Sequence, residues 1–175
     1  MIDSGKILEK FLQNQRFKHA KPHIIGDVLD FGGNDGELKP LVTGSYTLVN
    51  YDHTPMKNKT FDTIVCMAVI EHIDVAEVYR IFSEFKKCLN SNGSIVISTP
   101  TKLSIPILES LSFLHILDKE NIKEHKHYWN KSDLLKLAHD SDLVIEKYYT
   151  FQFGANQLAV FNHKDEYKTG ITTTG

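Results

Sequence analysis

Four short stretches of this 175-residue chain carry side chains that could do chemistry. The first, Asp30-Phe31-Gly32-Gly33-Asn34-Asp35-Gly36, sets two carboxylates in a turn almost bare of side chains. Glycines let the backbone approach a ligand closely and turn through positive φ, and Asn34 is of the non-glycine type that best tolerates that region. The second is Asp52-His53-Thr54-Pro55, its acid 22 residues after Asp30. An acid at about that distance meets the ribose diol in nucleotide-binding α/β folds, since a carboxylate can accept from both hydroxyls at once. The third is Glu71-His72 and the fourth His125-Lys126-His127-Tyr128-Trp129. These supply the proton donors and acceptors that a hydroxyl acceptor needs in general base catalysis.

The charges of the turn narrow its ligand. A dinucleotide fingerprint requires G-x-G-x-x-G facing a pyrophosphate, and the spacing here is different. Asp30 and Asp35 would also repel a phosphate, which argues against a nicotinamide-dependent dehydrogenase. A phosphate-binding Gly-Lys-Ser/Thr loop is missing as well. A ligand bearing an ammonium and a sulfonium suits these charges better, and S-adenosylmethionine is such a ligand.

These residues need strand ends to hold them. Apolar runs at Ile24–Phe31, Tyr46–Tyr51 and Phe61–Ile70 stop at the first three stretches, and a fourth run, Ser94–Ser98, ends at Pro100. Between the last two, Val75, Val78, Phe82, Phe85 and Leu89 recur at helical spacing, with Asn90–Gly93 as the helix stop. Strands alternating with helices argue a parallel sheet covered on both faces. Ser4–His19 reads as an amphipathic helix with Ile7, Leu8, Phe11 and Leu12 on its buried stripe, and Leu103–Glu120 as an apolar helix. Asn130 and Asp133 form a capping box ahead of Leu134, Leu137 and Ala138. Leu143–Phe151 and Gln157–Phe161 are close enough in sequence to form an antiparallel pair.

Composition sets the limits. A single domain over residues 1–163 is expected, with a polar tail, 164–175, too poor in apolar residues to order. A net charge of -2 gives no reason to expect nucleic acid. No apolar run is long enough to span a membrane, and the first ten residues lack the apolar core of a secretory signal. Two cysteines make no disulfide scaffold, so a cytoplasmic protein is expected. His125, His127, Glu124 and His72 are ligand types, but no Cys or Asp completes a set, and no metal is expected.

Four motifs in order give the chain a family resemblance. Val28-Leu29-Asp30-Phe31-Gly32-Gly33-Asn34-Asp35-Gly36 resembles the first motif of class I S-adenosylmethionine-dependent methyltransferases, in the type 11 and type 23 group. Asp52-His53-Thr54-Pro55 is similar to the end of their second strand. Phe61-Asp62 through Glu71-His72-Ile73 is similar to their fourth-strand motif, and Leu89-Asn90-Ser91-Asn92-Gly93 through Ser98-Thr99-Pro100 to their fifth. The resemblance runs from Arg16 to His163. It implies a Rossmann-like α/β fold, a mostly parallel sheet with helices on both faces and a C-terminal antiparallel pair. It further implies S-adenosylmethionine as cofactor, held by Asp30, Gly32, Gly33, Asn34, Asp35, Gly36, Asp52, His53, Met67 and Ala68.

Only eight residues separate Asp52 from Phe61, where the family places its third strand, so that strand is expected to be missing. Glu71, His72, His125, His127 and Tyr128 are the catalytic candidates. The acceptor pocket is expected between Leu103–Leu117 and His125–Tyr128. The expected acceptor is a small molecule such as a sugar, envelope or metabolite precursor. The alternative is a non-catalytic subunit of the same fold, and the short chain leaves room for a second copy or a partner subunit to complete the pocket. Asp52→Ala should weaken S-adenosylhomocysteine binding by about 1.5–3 kcal/mol, the cost of losing a charged partner to the diol; calorimetry giving an unchanged dissociation constant would remove Asp52 from the site.

Overall fold

Strands β1 (Val28–Phe31), β2 (Tyr46–Val49), β3 (Phe61–Met67), β4 (Leu89–Pro100), β5 (Leu143–Phe151) and β6 (Asn156–His163) join in one sheet of order β2-β1-β3-β4-β6-β5. The computed structural model describes residues 4–50, 56–105 and 125–164. β1 pairs in parallel with β2 and β3, and β3 with β4, whereas β6 runs antiparallel to both β4 and β5. Among the described residues β2 has a single neighbour and forms the edge, so no strand stands in the family's third position.

The sheet is buried on both faces because its strands are apolar on both. Leu29, Ile64, Cys66, Ile95, Ile97, Ala159 and Phe161 turn to one side, against helices α2 (Val75–Cys88) and α3 (Lys131–Asp140). The alternating Val28, Val65, Val96, Leu158 and Val160 turn to the other side, where Phe17 and Ala20 of α1 (Ser4–Ala20) pack. Removing these side chains from water is the main driving force for the fold, at about 25 cal/mol per Å². α2 contributes Val78, Ile81, Phe82 and Phe85, spaced three and four apart on one face.

Several boundaries differ from expectation. β1 begins only at Val28, because Pro22 sits in a 3₁₀ turn over Lys21–His23. β3 stops at Met67, and Ile70–His72 form a further 3₁₀ turn. α2 passes directly into β4, with Leu89 pairing with Phe61 and the register then shifting before Ser94 pairs with Thr63. Asn90, expected in a helix stop, instead donates to Asp62 at 2.7 Å and anchors that bulge.

α1 is turned from its expected setting. Ile7 and Phe11 are exposed, and the inward face carries Gln13, Arg16 and Phe17. A helix that walls a polar cleft presents polar groups inward, so its apolar stripe does not report the buried side. The expected apolar helix after Leu103 and the polar tail fall almost wholly outside the described residues.

The capping box at α3 forms as expected. The Asn130 side chain accepts from the Ser132 and Asp133 amides at 2.8 and 3.1 Å, and Asp133 accepts from the Asn130 amide at 3.0 Å. Asn130→Ala should therefore cost about 1 kcal/mol and lower the melting temperature by about 2–4 °C for a chain of this size. Asn130→Asp, which keeps the acceptor, should melt close to the parent in the same scan.

Candidate active site

The cleft opens where the sheet changes direction. β1 leads to β2 on one side while β3 lies on its other side, and ligands of open α/β sheets bind at the carboxyl ends beside such a switch point. A cavity of about 140 Å³ lies there. Its floor is Asp30, Gly32, Gly33 and Asn34 after β1, with Met67 ending β3 and Ala68 following it. Gln13, Arg16 and Phe17 of α1 close it from above, with Glu37 beside them. Pockets that hold a drug-sized ligand run to roughly 300 Å³ or more, so this space suits a part of a cofactor.

Local geometry explains the turn. Gly32 has φ +76°, and a Cβ there would stand 2.5 Å from Val69. At Gly33 a Cβ would lie 2.1 Å from the Asp30 carboxylate, so only glycine leaves that acid open to the cavity. Asn34 does adopt the left-handed region, at φ 48°. Its amide donates to Asn50 Oδ1 at 3.1 Å and its carbonyl accepts from Asn50 Nδ2 at 3.0 Å, tying the turn to the end of β2. Ala68 is a second residue at positive φ, 57°, held by its amide donating to the Ser98 carbonyl at 2.8 Å. Such backbone costs of order 1–3 kcal/mol and gathers at functional sites.

Asp30 is 3% exposed. The Tyr46 hydroxyl donates to its Oδ2 at 2.6 Å. Burial pushes the acid up to about 6, with the Tyr46 bond opposing and the Glu37 charge adding to the rise. The acid that joins it at the cavity is Glu37, whereas Asp35 is exposed on the turn and does not line the space. Gly36 shapes the turn, its amide donating to the Gly33 carbonyl at 2.9 Å. Asp52 and His53 lie outside the described residues.

Across the carboxyl edge a second group assembles. Glu71 is 1% exposed, and the Thr99 hydroxyl donates to its Oε2 at 2.9 Å. Burial pushes this acid up to about 7 against its hydrogen bonds and the Arg16 charge. Glu71, His72 and His125 bring one ligand-type atom each within 4.8 Å of one another. The His125 Nδ1 sits 3.0 Å from the Tyr128 hydroxyl. His127 departs from this group, its Nε2 facing Asp133 at 3.3 Å and its ring packed on Trp129. Gln13, Arg16, Glu37, Thr99 and the buried Ser98 hydroxyl, which meets no partner among the described residues, were not expected at the site. Arg16 could have been found from the sequence, as a lone guanidinium at helical spacing from Gln13 and Ala20.

The donor set fits S-adenosylmethionine. An acid in a glycine cradle suits the ammonium of its methionine part, a guanidinium suits the carboxylate, and nothing in the turn favours phosphate. A Rossmann-like sheet ending in an antiparallel pair, with its buried acid beneath the glycine turn, places the site in the class of S-adenosylmethionine-dependent methyltransferases. Within it the chain belongs to the type 23 methyltransferase domain family, whose model matches residues 6–148.

The fold is shared with the mitomycin 7-O-methyltransferase MmcR at TM-score 0.65 and 12% identity, over 87% of this chain and 54% of that one. A S-adenosylmethionine-dependent methyltransferase from Clostridium acetobutylicum ATCC 824 matches at TM-score 0.60 and 13% identity, over 92% and 90%. Magnesium protoporphyrin IX methyltransferase (ChlM) from Synechocystis PCC 6803, with S-adenosylhomocysteine bound, matches at TM-score 0.55 and 14% identity, over 91% and 81%. The chain thus spans about half of MmcR and nine-tenths of the clostridial protein. No curated protein sequence matches it.

Asp30 links binding to pH. Its folded value near 6 lies above the ordinary 3.8, so the folded chain holds this proton more tightly than the unfolded one. The stability it contributes is therefore present at low pH and lost as pH rises through 6, by on the order of 3 kcal/mol. Asp30→Asn should thus be more stable than the parent in denaturant titrations at pH 8, and no more stable at pH 4. Calorimetry should show parental affinity for S-adenosylhomocysteine falling as pH drops through about 6, and the variant binding weakly without that dependence.

Proposed function

We propose that this chain transfers a methyl group from S-adenosylmethionine to an oxygen of a small-molecule acceptor. The observation that carries the reading is the cavity at the switch point, with the Asp30 carboxylate on its floor and Arg16 in its wall. Asp30 and Glu37 meet the ammonium, and Arg16 and Gln13 meet the carboxylate, so the zwitterionic end of the cofactor is fixed at both charges. Asp52 and His53 would hold the nucleoside part, as the second motif implies. The cofactor supplies a methyl on a sulfonium, which passes to a nucleophile by in-line displacement.

The protein's part in such a step is positioning and exclusion of water. Met67 ends β3 and Ala68 follows it beside the cavity, and the strained Ala68 backbone fixes where that wall stands. The acceptor enters from the side of Glu71, His72, His125 and Tyr128. That cluster orients its hydroxyl and draws off its proton, which an oxygen nucleophile must lose. Several proteins of the same fold are named as O-methyltransferases acting in small-molecule biosynthesis, MmcR and the neocarzinostatin enzyme NcsB1 among them, which supports an oxygen acceptor.

Calorimetry with S-adenosylhomocysteine tests the cofactor half, and radiolabelled methyl transfer into pooled hydroxylated metabolites tests the acceptor half. His125→Ala should lose roughly a hundredfold in turnover while cofactor affinity holds. A purely structural His125 would instead lower the melting temperature and leave specific activity normal. No binding of S-adenosylhomocysteine at any pH from 6 to 9 would end the reading.

A further inference from the structure

We infer that Glu71, His72 and His125 form a binding site for a divalent transition-metal ion on the acceptor side of the cleft. The use of that ion in catalysis rests on the function proposed above; the site itself does not. No metal is expected from the sequence, in which the carboxylate beside these histidines is Glu124. The fold supplies the carboxylate from a distant stretch. Glu71 and His72 leave the 3₁₀ turn after β3, and His125 arrives from more than fifty residues later. Their ligand-type atoms lie within 4.8 Å of one another. Two imidazoles and one carboxylate converging on one point suit Fe²⁺, Mn²⁺, Co²⁺ or Zn²⁺.

What surrounds the three residues is what metal ligands require. Ligating side chains are oriented by outer partners that fix tautomer and rotamer. Thr99 Oγ1 donates to the Glu71 carboxylate at 2.9 Å, where both groups are buried. His125 Nδ1 lies 3.0 Å from the Tyr128 hydroxyl, a contact that sets the orientation of the ring. The His72 and His125 rings stand edge to face, 4.8 Å between centroids, so their nitrogens converge without stacking.

The two segments are also stapled through backbone. The Lys126 and His127 amides both donate to the Glu71 carbonyl, at 2.8 and 3.3 Å. Trp129 Nε1 donates to the Ile70 carbonyl at 3.2 Å. The Lys126 ammonium is turned to Asp74 at 2.9 Å. Arg16 acts on Glu71 from the cofactor side. A buried carboxylate beside two imidazoles is a costly arrangement to keep for packing alone, and a cation there would compensate its charge.

Such an ion would take the acceptor's hydroxyl, or a vicinal pair, as its remaining ligand. Coordination lowers the pKa of a bound O–H. The proton then leaves to solvent, and the oxygen forms its bond to the methyl carbon as the carbon–sulfur bond breaks. The bonding pair stays on sulfur as S-adenosylhomocysteine. The inference narrows the acceptor to one whose oxygen can bind a metal, such as a diol, catechol or sugar.

The test uses the tag-free full chain and the metal alone. Titration with Mn²⁺ and Zn²⁺ by calorimetry, and with Co²⁺ by its visible absorption, should give one equivalent bound. His72→Ala and His125→Ala should each weaken it tenfold or more, and Tyr128→Phe and Thr99→Val about tenfold. His139→Ala, exposed on α3, should bind as the parent does. Circular dichroism confirms the fold of each variant, and Glu71→Gln supplements the imidazole variants because it keeps the buried shape. No stoichiometric binding, or binding indifferent to both His72→Ala and His125→Ala, overturns the proposal. S-adenosylhomocysteine titrations run alongside separate this from the methyltransferase reading. A chain that binds S-adenosylhomocysteine but no metal loses the metal site and keeps its cofactor. A chain that binds metal but never S-adenosylhomocysteine does the reverse.

Discussion

The buried carboxylate of Asp30 is the constraint around which the rest is arranged. A charge at 3% exposure on a central strand opposes folding, and the structure compensates for it locally. Tyr46 reaches across from β2 to donate to it, and that bond fixes β2 beside β1. Gly33 must lack a Cβ for the acid to face the cleft. The turn that follows must then pass through left-handed backbone at Gly32 and Asn34. The acid is costly to the empty fold and useful only when a cation sits over it, so stability and binding are opposed at one residue.

A sheet that ends at β2 changes what can close the site. Without a strand beyond β2 among the described residues, the cleft gains its upper wall from α1 instead. That explains why α1 turns Gln13 and Arg16 inward and leaves Ile7 and Phe11 exposed. Arg16 also lies within electrostatic reach of Glu71. One guanidinium therefore lies between the switch-point cavity and the Glu71 cluster.

The sequence made the sheet, the glycine turn and the capping box legible because each depends on neighbours a few residues apart. Asn34 and the Asn130–Asp133 box are local devices, and both are found where expected. Strand ends were less legible. Asn90–Gly93 read as a helix stop because Asn and Gly favour turns, yet pairing of Leu89 with Phe61 draws that stretch into β4. α1 was misread because its apolar stripe carried the periodicity while its polar face carried the site. The departure of His127 from His125 was invisible for another reason. Residues two apart in an extended segment share a side, and the partner that draws His127 away, Asp133, belongs to the capping box.

The acceptor side depends on backbone more than on side chains. Three donors from the 126–129 stretch converge on the carbonyls of Ile70 and Glu71, which follow β3 directly. Gln157 Nε2 adds a fourth bond, donating to the Trp129 carbonyl at 2.6 Å from β6. Trp129, 1% exposed, fills the space beneath. The Lys126 and His127 amide bonds tolerate substitution of those side chains, whereas the Trp129 and Gln157 bonds depend on theirs. The positions of residues 72, 125 and 128 are thus set by the scaffold, while what stands there can change with the acceptor. A fold that fixes where chemistry happens, and leaves the identity of the groups free, can serve many acceptors with one sheet. In this chain the groups at those positions are imidazoles and a phenol around a buried acid, and the chemistry proposed for them is that of a hydroxyl losing its proton.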